Sequence, residues 1–258
     1  MTTLVESPQV GPMLRSWRER RRFSQQELSN LSTVSTRHLS RVETGRAHPT
    51  PEMILHLADN LEVPLRERNR LLLAAGYAPR YSEQSLDDGS LAVVMDGLRS
   101  LLDAHLPYPA VLLDDHWDVV DANAAIGVLL ADCAPELLEP PVNVVRLCLH
   151  PGGLAPRIEN LDEWAGHLHH QALSRAARTH DPRHHELVAE IVRLHGGTPR
   201  LDPTLGPVLS LRLRTGDGVL RLFSTSAQLT TATDVALEGL RLETFLPADE
   251  TTRALFGR

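Results

Sequence analysis

The stretch that most restricts what this chain can fold into runs from Ser24 to Gly45, SQQELSNLSTVSTRHLSRVETG, and reads as two short helices joined at a fixed angle. Ser24 followed by Glu27 is a capping box, in which hydroxyl and carboxylate each satisfy an orphan backbone donor, so the first helix begins at Gln25. Leu28 and Leu31 point one way, Ser32, Thr33 and Val34 break the period, and Ser35 offers a second N-cap ahead of Leu39 and Val42 at i, i+3 spacing. Gly45 stops the second helix. Opposite Leu39 and Val42 lie Thr36, Arg37, Ser40 and Arg41, side chains that hydrogen-bond base edges and phosphates. This is the pattern of a helix-turn-helix whose second helix suits a DNA groove.

The charge distribution agrees with a nucleic-acid contact confined to one end. Residues 1–80 hold 12 arginines against 8 acidic residues, net +4, while residues 81–258 hold 14 against 25, net −11. Lysine is absent, which reads as compositional bias, since both cations serve as solvated surface charge. Cys133 and Cys148 are too few for a disulfide framework and lack metal-ligand spacing, as expected for a reduced interior. MTTLVESPQV has no basic segment leading into an apolar core, and no run is long enough to span a bilayer. The expectation is a soluble, cytoplasmic protein without a membrane partner.

Along the chain, residues 1–10 read as a flexible arm, and a first helix is expected from Met13 to Arg22 with Leu14 and Trp17 inward. Arg15, Arg20, Arg21 and Arg22 are then available to solvent or to phosphate. Thr50 caps a further helix with Pro51 in its first position and Ile54, Leu57, Ala58 and Leu61 at helical spacing; another starts near Pro64 and carries Leu71, Leu72 and Ala75. Five helices over residues 11–80 make an all-α domain. Residues 81–90, rich in Ser, Asp and Gly, read as a linker with the boundary near residue 85.

Residues 91–258 change character. A helix from Leu91 to Ala104 precedes two short apolar runs, Ala110 to Leu113 and Trp117 to Val120, which read as a hairpin around Asp114-Asp115-His116. Asn123 then launches an Ala- and Leu-rich helix to about Leu130, residues 143–195 read mainly helical, and Asn160 with Glu163 reads as another cap. From Val208 alternation returns: Leu209, Leu211 and Leu213 share a face, and TGDG supplies a tight turn. The result is an α+β domain with a five-stranded antiparallel sheet and helices inserted between its second and third strands, an arrangement that resembles a PAS domain.

The string STRHLSRVETGRAHPTPEMILHLADNLEVPLRERNRLLLAAGYAP resembles the head of the MmyB-like transcription regulators, with an XRE-type helix-turn-helix. PYPAVLLDDHWDVVDANAA, PPVNVVRLCLHPGGLAPRIENLDEW and LFSTSAQLTTATDVALEGLRLETFLPADE resemble the PAS-like ligand-binding domain of the same family, so the likeness covers nearly the whole chain. By that resemblance Gln25 binds phosphate at the head of its helix, Thr36, Arg37 and Arg41 face bases, and Arg18 pairs internally with Glu43. Ser35, Ser40 and Arg46 complete the expected DNA face. The turn departs from the family pattern, having Thr33 where Gly is usual; a β-branched residue at positive φ costs about 1–2 kcal/mol and is expected to distort it. The resemblance also implies a sensor for a small, lipid-like molecule.

For that ligand the residues offer two readings. Arg146 sits in the apolar run NVVRLCLH, where an unpaired charge would be costly. It is expected either to pair with an internal carboxylate, Asp121 or Glu163, or to hold an anionic ligand such as a fatty acid carboxylate, with Asn143 and His150 completing the hydrogen bonds. Trp164, Leu168, Phe223 and Phe245 could line an apolar cavity or be plain core. The histidines from His167 to His195 are expected on solvated helix surface; Pro182 between His180 and His184 argues against a zinc face, and no metal or cofactor is expected. With no G-x-S-x-G, P-loop or G-x-G-x-x-G, an enzyme is not expected. The composite expectation is a homodimeric, ligand-responsive regulator on double-stranded operator DNA. The alternative is a DNA-binding protein whose second domain only dimerises or docks a partner.

Overall fold

Residues 9–179, 181–201 and 208–257 are described by a computed structural model of the chain. Contacts divide it into two compact units: Met1–Gln84 with Ala177–His180 and Ala232–Glu238, and Ser85–Ala176 with Asp181–Thr231 and Gly239–Arg258. Among the described residues no helix is long and apolar enough to cross a membrane.

The N-terminal segment of the first unit carries five helices, α1 (Val10–Arg20), α2 (Gln25–Ser32), α3 (Thr36–Glu43), α4 (Pro51–Asn60) and α5 (Leu65–Ala74). Their starts are chemically specified. Ser24 and Glu27 form a reciprocal capping box, Ser35 Oγ accepts from His38 N, and Thr50 Oγ1 accepts from Met53 N. One apolar cluster, including Leu14, Trp17, Leu28, Leu39, Val42 and Ile54, holds the five together. Two expectations change. Helix α1 begins at Val10 rather than Met13, and it ends at Arg20 because Arg22 takes a left-handed conformation at φ 58°. Of the proposed arm, residues 1–8 lie outside the described residues.

The second unit is built on a five-stranded antiparallel sheet of β1 (Ala110–Leu113), β2 (Val119–Ala122), β3 (Leu211–Thr215), β4 (Gly218–Gln228) and β5 (Arg241–Pro247), in the order β2-β1-β5-β4-β3. α6 (Ala92–Ala104) precedes it. Between β2 and β3 come α7 (Gly127–Leu130), α8 (Val144–Leu149), α9 (Leu161–Arg178, counted in the second unit as far as Ala176) and α10 (Pro182–His195); α11 (Val235–Gly239), counted in the first unit as far as Glu238, lies between β4 and β5 in sequence, and α12 (Glu250–Phe256) follows. One face of the sheet, with Val111, Leu113, Leu211, Leu213 and Phe245, joins Trp164 and Leu168 of α9 in a single core. The other face of β1 is buried as well, and α6 packs against β1 and β5.

The early hairpin is wider than its sequence implies. Asp114 Oδ1 accepts from the backbone of His116 and Asp118, and Trp117 turns at φ 62°, so the second strand starts at Val119 instead of Trp117. Asn123 does not cap the following helix. Its amide donates to the carbonyls of Leu102 and Tyr108 and accepts from Ala110 N, tying α6 to β1. Asn160 works similarly: its side chain donates to Ser210 O and accepts from Arg212 N, clipping the start of α9 to the edge strand. Surface placement of the histidines is also corrected. His184 is wholly buried, stacked on His116 at 5.0 Å between ring centroids with Nε2 3.0 Å from Asp115 O, and His169 is buried too. His180 lies outside the described residues.

Candidate functional site

In the first unit, α3 has an inner and an outer side. Leu39 and Val42 are buried against α1, and the approach is close enough to require glycine: a Cβ on Gly11 would lie 2.3 Å from the Val42 carbonyl oxygen. Beside that contact the Arg18 guanidinium donates to both carboxylate oxygens of Glu43, at 2.6 and 2.9 Å, and to Phe23 O at 2.7 Å. Gln25 Nε2 donates to Glu43 Oε2 at 2.8 Å, so three donors converge on one buried acid. The half-buried Gln25 side chain is thereby held beside the ion pair at the head of its helix. Thr33 holds the turn in the left-handed region, at φ 58°, ψ 9°.

On the outer side Arg37, Arg41 and Arg46 are exposed, and no hydrogen bond or ion pair among the described residues takes up their side chains. Thr36 and Ser40 are half-buried, Thr36 Oγ1 donating to Gln26 Oε1 at 3.2 Å across the two helices. Ser35 is committed to its cap. The other arginines of α1 and of the residue that follows it are mostly engaged: Arg15 pairs with Glu19, and Arg21 donates to Leu61 O and Glu62 O just after α4. The outer side of α3 therefore presents fixed backbone and unspent guanidinium groups, the combination that groove recognition needs.

The second unit encloses a cavity of about 190 Å³ between the sheet and α7 to α9. Its wall is chiefly aliphatic and aromatic, with Val111, Leu147, Trp164 and Phe245 among the contributors. Three polar side chains also line it: Glu243 from β5, and His167 and Gln171 from α9. Burial raises the Glu243 carboxyl above its ordinary pKa, against a hydrogen bond from Ser224 and the charge of Arg241. Burial lowers His167, and Gln171 Nε2 donates to its Nε2 at 2.8 Å. Burial pushes the Cys148 thiol, also in the wall, up to about 12. All three shifts favour uncharged forms.

Of the residues expected to bind ligand or line its cavity, Trp164, Leu168 and Phe245 line this one, and Asn143, Arg146, His150 and Phe223 do not. Arg146 falls on the outer side of α8, its side chain 49% exposed, and pairs with Glu190 at 2.9 Å. Its partner is thus neither Asp121, which is bound by Arg99, nor Glu163, which is bound by Arg212 and Asn160. The helical period explains this: Val145, Leu147, Cys148 and Leu149 take the buried side of the six-residue turn and leave Arg146 outside. Asn143 caps α8 through Arg146 N and donates to His116 O and Asp118 Oδ1. His150 Nδ1 accepts from Gly152 N. Phe223 is half-buried on β4, out of register with its inner residues Leu220 and Leu222. Among the described residues no group of three or more His, Cys, Asp or Glu could hold a metal ion.

The cavity's polar residues escaped sequence reasoning for a definite reason. In RLETFLP, alternation alone ranks Leu242 and Leu246 as the inner set. The sheet instead turns Glu243 toward the core face, opposite Val111, because α6 covers the other face and takes the leucines' side. A signal existed in Phe245, which shares parity with Glu243 and is buried.

Two family profiles match the chain. Residues 94–257 match the MmyB-like transcription regulator ligand binding domain, and residues 9–71 match a helix-turn-helix domain. No curated protein matches it.

Proposed function

The chain belongs to the MmyB-like transcription regulators, and from that premise we propose that it binds a specific operator as a homodimer and that a small, mostly apolar molecule in its second domain alters that binding. It is a DNA-binding transcription regulator; what is proposed is the mode of recognition and the class of ligand. The observation that carries the DNA half is the outward, unengaged set Arg37, Arg41 and Arg46 on a helix whose inner side is locked by Leu39, Val42 and the Arg18–Glu43 pair. Arg37 and Arg41 read base edges, and Arg46 holds phosphate beyond the end of α3. A dimer would place two such helices in successive major grooves about 34–36 Å apart, or a multiple of that, on a near-palindromic site in the cytoplasm.

The ligand half rests on the cavity of about 190 Å³, somewhat larger than the roughly 150 Å³ apolar cavity that accepts benzene. Its walls favour an aliphatic chain or a small ring system, consistent with a lipid-like ligand. Ligand regulates only through a difference in affinity between DNA-bound and free states, so binding and DNA affinity must be reciprocally linked.

The test is operator selection from random duplexes followed by anisotropy titration in the presence of octyl, decyl and dodecyl compounds, alongside extraction and mass spectrometry of the purified protein. A selected palindrome whose midpoint shifts with one of these compounds supports the reading. Tight operator binding that no compound moves, with no extractable molecule, would assign the second domain to dimerisation or partner docking instead.

A further inference from the structure

Among the described residues, the lining of the cavity includes hydrogen-bonding groups and no arginine. Glu243 enters from β5, and His167 and Gln171 enter from α9, into a space otherwise bounded by aliphatic, aromatic and thiol groups. Arginines that reach its wall residues from outside are not part of the lining: the Arg175 guanidinium sits 4.9 Å from the centre of the Trp117 ring and bonds Asp115, and Arg157 donates to Leu129 O. Arg146 is on the outer side of α8 with Glu190, and the Arg241 guanidinium sits 5.7 Å from the centre of the Trp117 ring and is not part of the wall. An anionic head group in the cavity would therefore be desolvated opposite a carboxyl group, with a neutral imidazole and an amide as its remaining neighbours. An uncharged hydroxyl or carbonyl faces no such penalty: Gln171 offers donor and acceptor, and the Glu243 carboxyl does the same when it keeps its proton.

Resting on the reading that this cavity is the ligand site, we propose that it selects apolar molecules bearing an uncharged hydroxyl or carbonyl group, recognised by Glu243 together with the His167–Gln171 pair, and that it rejects the corresponding carboxylates. Glu243 is the specificity-determining residue in this scheme. Burial favours its protonated form, and Ser224 at its side helps fix the carboxyl in place. The pair on α9 is set by the i, i+4 spacing of His167 and Gln171, which lets one side chain orient the other.

Three probes of equal chain length separate the possibilities: decan-1-ol, decanoic acid and decylamine, titrated at neutral pH into the full chain and followed by calorimetry and tryptophan fluorescence. Decan-1-ol should bind at least about tenfold more tightly than decanoate, since only the latter must bury an unpaired charge. Glu243→Leu should weaken decan-1-ol about tenfold and narrow its advantage over decanoate, whereas Glu243→Gln, which keeps donor and acceptor, should retain both. The Gln variant also controls for loss of fold in the Leu variant. Decanoate binding as well as the alcohol, or decylamine binding best of the three, would overturn the proposal while leaving the cavity as the ligand site. If no decyl compound binds, the ligand-site reading falls and this proposal with it.

Discussion

Arg18 and Glu43 form a two-pronged ion pair between α1 and α3, Nε to Oε1 at 2.6 Å and Nη2 to Oε2 at 2.9 Å, with both side chains under 10% exposed. Because α3 is pinned by this pair as well as by Leu39 and Val42, the angle at which Arg37 and Arg41 leave the protein depends on it. Glu43→Leu leaves the Arg18 charge buried, and removing one member of such a pair costs about 3–5 kcal/mol. The helical unit should unfold at markedly lower urea, followed by circular dichroism. The double variant Arg18→Met/Glu43→Leu should recover part of that loss, since no orphan charge remains.

Thr33 occupies the left-handed region at φ 58° in the turn between α2 and α3. Thr33→Gly relieves about 1–2 kcal/mol of steric cost and adds about 0.5–1 kcal/mol of unfolded-chain entropy. Relief wins. The variant should be more stable by about 0.5–1 kcal/mol, read as a raised melting temperature with DNA affinity preserved.

Arg37→Ala and Arg41→Ala should each relax specificity at one position of every half-site, losing about 1–3 kcal/mol of discrimination there. Anisotropy titrations against single-base operator variants at fixed salt measure this directly. A loss shared equally by all duplexes, with a shallower salt dependence, would assign that arginine to phosphate instead.

Cys148 lies in the cavity wall with its thiol pushed up to about 12 by burial, whereas Cys133 is only half-buried. Thiolate is the reacting species, so a maleimide should modify Cys133 at least about a hundredfold faster. Peptide mapping by mass spectrometry should find Cys148 labelled only as the second unit unfolds.

His116 gives the second unit a pH dependence. Burial disfavours its charge, yet hydrogen bonds with Asp114 and with Asp181, the latter at 2.8 Å, outweigh burial and raise it above 6.5. A raised folded value means its stabilisation is complete below about pH 6.5 and fades as pH climbs through the folded pKa. Asp181 is shifted the other way, its hydrogen bonds outweighing burial, so its contribution is lost only as pH falls through its lowered value. His116→Gln should therefore cost more stability at mildly acidic than at alkaline pH, measured by thermal melts across that range.

The helical head was legible in the chain because its signals are local. Capping at Ser24, Ser35 and Thr50, the Leu39 and Val42 spacing and the stop at Gly45 each act within one or two turns, and the folded unit keeps all of them. Alternation and turn chemistry likewise revealed the five antiparallel strands and the helices inserted among them. The cavity of the second unit was less legible. Trp164, Leu168 and Phe245 were recognisable as lining candidates, but Glu243, His167 and Gln171 were not, since a polar residue in a strand or on a helix carries no mark of which layer it will face.

Residue pattern by itself determined where the capped helices α2, α3 and α4 begin, which side of α3 is apolar, and that the acid-rich body differs in kind from the basic head. Tertiary structure decided which side chains share a space. Arg146 met Glu190 from another helix, His184 was sealed behind His116, and β5 turned its acid toward the cavity because α6 took the opposite face. Caps and periods are set by neighbours a few residues away, whereas the partner of a buried charge is chosen by how whole layers pack, and no short window of sequence contains that choice.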